Sequence, residues 1–394
     1  MNNRYRDHII INALMRGGIL PPGVKEELFD QWGEVGYALC HDCLEGRSSL
    51  CGRPPVKKHL ERVAAFYGGD AAEHTFGCRT AKFAVMRAVR EWLDANPERT
   101  DTIVVDANSH YSTNIAAELN SLRVAEAPHN GYPTYSINAA GYEEKILEIK
   151  RETGRLPALA VATHADPYYG NLAPVEDIGR ICRELDVPFL VNAAYTGGVI
   201  PIDMRAMNAD FLSVSAHKSM ASLAPLGYVI TTHEWSGRVF ATSAQRTQWS
   251  GRVFGKKIPN IFGCSIGGIP AISSMLSMDH VEERVTQWDR EIESINAFAR
   301  AMEEIPDIML LGQRPHRHHL LHFETPGLWE ALKQQGKNGF YLSEFMIKNG
   351  VVGLHRGMSK HIKFSVYGLS QGERDTVLNL FREIAGAKVP AGKE

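Results

Sequence analysis

The chain has 394 residues, 44% of them hydrophobic and 22% charged, and a formal net charge of −2. That balance is not the basic one of a general nucleic-acid binder, so any contact with nucleic acid has to come from a local patch. No apolar run approaches the ~18 residues of a membrane span, and the length suits one large α/β domain with a smaller companion.

The first residues, "MNNRYRDHIIINALMRGG", are polar and then broken by two glycines. They carry no signal-peptide cleavage pattern, and a cytoplasmic protein is expected. Next comes "GYALCHDC", with Cys40 and Cys43 two residues apart. Such a pair suits zinc, redox chemistry or sulfur handling, and no second Cys-x-x-Cys strengthens the zinc reading. The six cysteines are Cys40, Cys43, Cys51, Cys78, Cys182 and Cys264. Six thiols in a chain of this size do not make a disulfide scaffold, and Cys182 reads as an incidental buried thiol.

From about residue 56 to 275, short apolar runs alternate with amphipathic stretches. "TIVVDAN", "LRVAEAP", "ALAVATH", "PFLVNAAY", "DFLSVSAH" and "GYVITT" read as buried strands, with helical segments such as "GYEEKILEIKRETG" and "VEDIGRICREL" between them. This alternation predicts an α/β fold with a mostly parallel central sheet and helices on both faces. Ligands in such sheets gather at the carboxyl ends of the strands. Beyond residue 275, "HVEERVTQWDREIESINAFARAMEEI" reads as one long charged helix leading into a smaller α+β end. The expected division is 1–55, an N-terminal segment with the Cys-x-x-Cys; 56–275, a large domain; and 276–394, a small C-terminal domain.

Five features at strand ends and helix starts point to pyridoxal phosphate. "HTFGCRTAKFAVM" sets Gly77, Cys78 and Arg79 before an apolar-periodic helix, whose N-terminal N–H groups suit a phosphate. In "VVDANSHYS", His110 follows a strand, where its ring would lie on the pyridine face. "HADPYYGNLAPV" puts Asn171 in a turn, within reach of the ring's phenolic oxygen. "FLVNAAYTGG" ends a strand with Asn192 and Tyr195, Asn192 lying 26 residues before Lys218. That is one strand–helix–strand return, and it makes Asn192 the candidate partner of the pyridine nitrogen. An asparagine cannot enforce protonation of that nitrogen as an aspartate does, so the ring is expected to be a weaker electron sink. Last, "DFLSVSAHKSM" places Ser215, His217 and Lys218 at a strand end, where a lysine among small hydroxyl residues suits a Schiff base. The expected architecture is accordingly that of the aminotransferase-like (fold type I) enzymes.

Basic clusters occur in "GRPPVKKHLER", "RVFGKKIP", "RPHRHH" and "HRGMSKHIK". Each reads as a solvated face, open to a few phosphate contacts. His316, His318, His319 and His322 are a candidate metal cluster, but a surface or RNA contact is the preferred reading.

The segments "CHDC", "RTAKFAVM", "SHYS", "YGNL", "VNAAY", "SAHKSMA", "FGCS" and "FSVYGLS" resemble the O-phosphoseryl-tRNA:cysteinyl-tRNA synthase family, over nearly the whole chain. The resemblance implies replacement of phosphate by sulfur on phosphoserine esterified to cysteine tRNA. It implies that Lys218 is the Schiff-base lysine and that Arg79, His110 and Tyr111 surround the substrate phosphate. It also implies that Cys40, Cys43 and Cys264 handle sulfur, through a persulfide or an iron–sulfur cluster. Implied partners are phosphoseryl-tRNA(Cys), a second copy in a homodimer, the phosphoseryl-tRNA synthetase and a sulfur donor. The sequence departs from the family at Asp166-Pro167-Tyr168-Tyr169, where a glycine and an asparagine are favoured. It departs again at Lys360, where an arginine is expected, and at the His-Asp centre of the cysteine pair. Two other readings keep the lysine. One is a desulfurase acting on free cysteine, for which the C-terminal part holds no cysteine. The other is a non-catalytic tRNA-binding scaffold, which the intact Lys218 and Arg79 argue against.

Overall fold

The computed structural model describes residues 7–14, 16–32, 38–39, 55–245, 248–249, 251, 257–258, 266–357 and 359–386. Its strands, in chain order, are β1 (Ile9–Ile10), β2 (Ala38–Leu39), β3 (Ala71–Thr75), β4 (Thr102–Asp106), β5 (Arg123–Ala127), β6 (Leu159–Thr163) and β7 (Phe189–Asn192), followed by β8 (Phe211–Val214), β9 (Gly227–Thr231), β10 (Ile266–Gly267), β11 (Met309–Leu310), β12 (Leu321–Glu324), β13 (Val351–Val352) and β14 (His361–Phe364). The helices are α1 (Pro22–Trp32), α2 (Val56–Phe66), α3 (Cys78–Leu93), α4 (Ser112–Leu119), α5 (Ala139–Thr153), α6 (Val175–Glu184) and the single turn α7 (Ala216–Ser219). After them come α8 (His233–Val239), α9 (Gly268–Val285), α10 (Trp288–Glu303), α11 (Pro326–Gln334), α12 (Tyr341–Lys348) and α13 (Gln371–Ile384).

Seven strands form one sheet in the order β3-β9-β8-β7-β6-β4-β5, and only β9 runs against the others. The runs of β4 and β6 to β9 are buried throughout because both faces of the sheet are covered there. Val104, Val191 and Val214 pack on one face with Val63, Tyr142, Ile146 and Ile178 of α2, α5 and α6. Ile103, Val105 and Leu190 point the other way, against Ala81, Val85 and Val89 of α3 and Trp235 of α8. Each such buried aliphatic or aromatic side chain contributes about 1.5–3 kcal/mol of burial. A second core lies between α10, α13 and the antiparallel sheet β11-β12-β14, and Ile11 from the N-terminal segment joins it. β1 pairs in parallel with β13, which ties the start of the chain to that unit.

Four features differ from the reading of the sequence. β5 is a mostly exposed edge strand rather than a buried one. β7 returns to β8 through turns with no helix between them. Two further elements depart as follows. The polar run "AAEHT" is a strand, β3, with Glu73 and His74 buried at the sheet's edge. The single long helix after residue 275 is two, α9 and α10. Between them the Thr286 hydroxyl donates to the Glu283 carbonyl at 2.6 Å, competing with the helical ladder. α13 begins on a capping box, in which Ser370 and Glu373 satisfy each other's backbone N–H. Among the described residues no helix is long and apolar enough to cross a membrane.

Candidate active site

The carboxyl ends of β6, β7 and β8 meet the N-terminus of α3 around a cavity of about 290 Å³, lined in part by Gly77, Cys78, Arg79, His110, Asn192, Tyr195, Ser215, His217 and Lys218. Nine of the residues singled out in the sequence thus converge, because each follows a strand or starts a helix at the same edge of the sheet. Among the described lining residues there is no carboxylate.

α3 starts directly after Gly77, whose φ of +114° disfavours any side chain. A Cβ there would lie 3.0 Å from the His217 ring, so glycine lets the loop close onto α7. The Cys78 N–H donates to Ser215 Oγ at 3.0 Å, and Cys78 Sγ lies 2.9 Å from both Asn192 Oδ1 and Ser213 Oγ. Burial pushes that thiol's pKa up. His217 donates from Nδ1 to the Leu226 carbonyl at 2.7 Å. Lys218 Nζ sits 4.6 Å from the centroid of the Tyr195 ring. Desolvation lowers the lysine's pKa, with Arg79 adding to the effect and Cys78 opposing it.

Arg79 donates to the Tyr111 hydroxyl, and its guanidinium lies 5.1 Å over the Tyr111 ring. Both side chains are exposed at the mouth, so they remain accessible to an incoming anion.

Lys82 was not singled out from the sequence. It lies one helical turn past Cys78, is 1% exposed, and lines the cavity. Its ammonium donates to Ser112 Oγ at 2.9 Å and to Thr113 Oγ1 at 2.7 Å. Ser112 is within 2.8 Å of His110 Nδ1, which also accepts the Ser112 N–H at 3.2 Å. These acceptor roles place the proton of the neutral His110 ring on Nε2. Desolvation, then Lys82 and Lys218, push His110 down to about 4 and keep it neutral. Lys82 itself is pushed down to about 8 by burial, with Cys78 and Asp106 opposing. The available signal was a lysine interrupting an otherwise apolar helix face in "RTAKFAVM".

Asn171 does not belong to this cavity. Its amide is consumed elsewhere, donating to the Thr134 carbonyl at 2.9 Å and accepting the Gln313 N–H at 2.7 Å. The turn before it is organised by Asp166, which accepts the N–H groups of Tyr168, Tyr169 and Asn171. Lys360 also lies away from the cavity, 5.3 Å over the Trp329 ring. The expected surface role of the histidines is corrected too. His316, His318 and His319 are buried, and they bond the Leu320 carbonyl, the Tyr195 carbonyl and Ser365 respectively. Among the described residues no group of three or more His, Cys, Asp or Glu is arranged to hold a metal.

Cys40, Cys43 and Cys264 lie outside the described residues. β2 and β10, described on either side of them, pair antiparallel with Leu39 opposite Ile266.

The residues present fit a flat, phosphorylated pyridine aldehyde. A helix N-terminus with Ser215 suits the phosphate, Asn192 the ring nitrogen, and a desolvated lysine the aldehyde. The fold and this site define a pyridoxal-phosphate enzyme of the aminotransferase class-V family, whose pattern matches residues 55–328. The synthase named O-phospho-L-seryl-tRNA:Cys-tRNA synthase 2 of Archaeoglobus fulgidus is 42% identical over 378 residues, covering 96% of this chain and 94% of the relative. The O-phospho-L-seryl-tRNA:Cys-tRNA synthase of Methanothermobacter thermautotrophicus is 38% identical, with 96% and 95% covered. A chain in the crystal structure of a SepCysS–SepCysE N-terminal domain complex superposes with a TM-score of 0.84 at 36% identity, covering 97% of this chain and 95% of that one. This chain belongs to the O-phospho-L-seryl-tRNA:Cys-tRNA synthase family. A cysteine desulfurase from Thermococcus onnurineus shares the fold, with a TM-score of 0.74 at 16% identity.

Proposed function

We propose that this chain converts phosphoserine esterified to cysteine tRNA into cysteine by replacing the β-phosphate with sulfur, acting in the cytoplasm as a homodimer. Pyridoxal phosphate, when bound, supplies an electron sink for the pair of electrons left at Cα. Lys218, Gly77, Cys78, Ser215, His217, Asn192 and Tyr195 would hold it.

The observation that carries the reading is the charge of the cavity. Arg79 and Lys82 converge beside Lys218 on a lining without a described carboxylate. Two phosphates, the cofactor's and the substrate's, require that excess of cations. Lys218, desolvated toward its neutral amine, takes the Cα proton at Nζ. Arg79, steadied by Tyr111, grips the β-phosphate and stabilises it as it departs. His110 offers Nε2–H as a neutral donor, oriented through Ser112 by Lys82.

Sulfur then adds at Cβ. We assign its delivery to Cys40, Cys43 and Cys264. In support, β2 ends one residue before Cys40 and β10 begins two residues after Cys264, and the two strands pair. Persulfide and iron–sulfur carriers are separated by iron and acid-labile sulfide analysis of anaerobically purified protein. A sulfur-donor protein and the phosphoseryl-tRNA synthetase are the proposed protein partners. The relative solved with the SepCysE N-terminal domain supports the existence of a protein partner.

Anaerobic incubation of the purified protein with phosphoseryl-tRNA and sulfide, followed by deacylation and amino-acid identification, tests the reading. Cysteine should form with the wild type and not with Lys218→Ala. Untouched phosphoserine together with sulfur loss from free cysteine would instead establish a desulfurase.

A further inference from the structure

A second cavity, of about 530 Å³, is walled by Leu14, Tyr168, His322, Leu354, His361 and Lys363 among others. Its size falls within the range of pockets that take a small organic ligand. It shares the 167–168 turn with the first cavity. Pro167 lines the first, Tyr168 lines the second, and Lys363 Nζ donates to the Pro167 carbonyl at 2.8 Å. No carboxylate is among its described lining residues.

The wall is one end of an aromatic ladder. The rings of Tyr135 and Tyr169 stack at 4.1 Å and 6°, and Tyr169 and His322 continue at 5.5 Å and 9°. Tyr168, 43% exposed, leans on Tyr169 at 6.3 Å and presents its ring to the cavity with Leu14, 46% exposed. The ladder is rigidly held. Asp166 accepts both tyrosine N–H groups, and His322 Nδ1 donates to the Tyr168 carbonyl at 2.8 Å. His361 Nδ1, buried in the same wall, has no hydrogen-bond partner.

An exposed aromatic ring, apolar walls and an ammonium are together what binds a single unpaired nucleotide. The base stacks and the backbone phosphate meets the cation. Reach supplies the identity of that nucleotide. The amino acid to be converted is esterified to the 3′-terminal ribose of its tRNA, so with that residue at Lys218 the terminal nucleotide must lie just outside the first cavity. We propose that the second cavity receives the unpaired 3′-terminal nucleotide of the aminoacylated tRNA, its base on Tyr168 and its phosphate near Lys363. The inference rests on the proposed function and deepens it.

The test is binding of fluorescently labelled RNA to the cofactor-loaded protein, read by anisotropy, with an uncharged full-length tRNA transcript and one trimmed of its last three nucleotides. Tyr168→Ala should weaken the full-length RNA roughly five- to hundredfold, the span of one base–aromatic stack. Tyr168→Phe should restore it, and both variants should bind the trimmed RNA as the wild type does. Equal weakening of both RNAs by Tyr168→Ala, or of neither, overturns the site. If sedimentation shows Tyr168→Ala dissociating the dimer while RNA affinity is unchanged, the face is a subunit contact and the proposal falls. Those outcomes leave the proposed reaction standing if cysteine still forms on phosphoseryl-tRNA. A wild type that binds neither RNA and forms no cysteine takes both down.

Discussion

Two buried, titratable regions lie on either side of Tyr195. On one side, Lys82, His110 and Lys218 surround a cavity; on the other, His164, His316, His318 and His319 pack into the protein interior. Burial acts alike on both, holding the cationic forms down. What differs is where the polar atoms go. The histidines bond mainly inward, to Thr196, Ser365 and the carbonyls of Leu320 and Tyr195. Among the described residues no carboxylate lines the cavity, so the charge of Arg79 and Lys82 there is left for a ligand. A perturbed pKa marks burial; it marks a site only where a cavity leaves the group something to bind.

The largest expected effect breaks the cavity's side of that contrast. Lys218→Ala should lower cysteine formation by 10²–10⁴-fold in single-turnover assays, the range of a positioned base. Borohydride reduction should then leave no cofactor on the chain; a loss under tenfold would assign the role elsewhere. Arg79→Ala removes a charge-assisted grip of about 1.5–3 kcal/mol, so kcat/KM for the phosphorylated substrate should fall roughly ten- to hundredfold. Arg79→Lys should recover only part of it, since the planar fork is lost.

Lys82→Met tests the buried lysine with its shape largely kept. We expect about a tenfold loss in kcat/KM, one hydrogen-bonded charge, with little change in Tm. Wild-type KM should rise as pH passes about 8, where Lys82 loses its proton, and Lys82→Met should lack that rise. The same KM rise in the variant would assign the limb to another group.

The smallest effect, per residue, belongs to the histidines. Burial pushes His164 and His316 down to about 4 and His319 to about 3. An unfolded histidine titrates near 6.5, so between about 4 and 6.5 the unfolded chain holds more protons than the folded one. The rings' contribution to stability is therefore full above pH 6.5 and falls as pH drops toward 4, by about 1.4 kcal/mol per unit for each ring. Thermal unfolding at pH 7, 6 and 5 checks the sign. Burial pushes Asp106 up to about 7 and Asp166 and Asp210 up to about 6, and these carboxyls act in the opposite sense over this window. A Tm that is flat or rising toward pH 5 would mean that their contribution outweighs that of the rings.

Much of the cavity was legible because its residues follow apolar runs. Asn192, Ser215 and Lys218 sit where β7 and β8 end, and strand ends can be read from period and turn alone. Lys82 was not legible, since a lysine inside a helix reads as a solvated face until the neighbouring α4 is packed over it. Asn171 misled for the same reason. A polar residue in a turn near the site says nothing of which backbone groups will consume its amide. The histidines of "RPHRHH" looked like a basic surface because their burial depends on segments distant in the chain, such as Tyr195 for His318 and Ser365 for His319.

By itself the sequence determined the succession of strands from β4 to β9, the burial of the central ones and the edge of the sheet at which chemistry gathers. All of these follow from local periodicity and chain connectivity. Tertiary structure alone decided which polar side chains are spent on their neighbours and which keep a free atom facing a cavity. That choice depends on contacts between segments far apart in the chain, and local pattern carries no record of them.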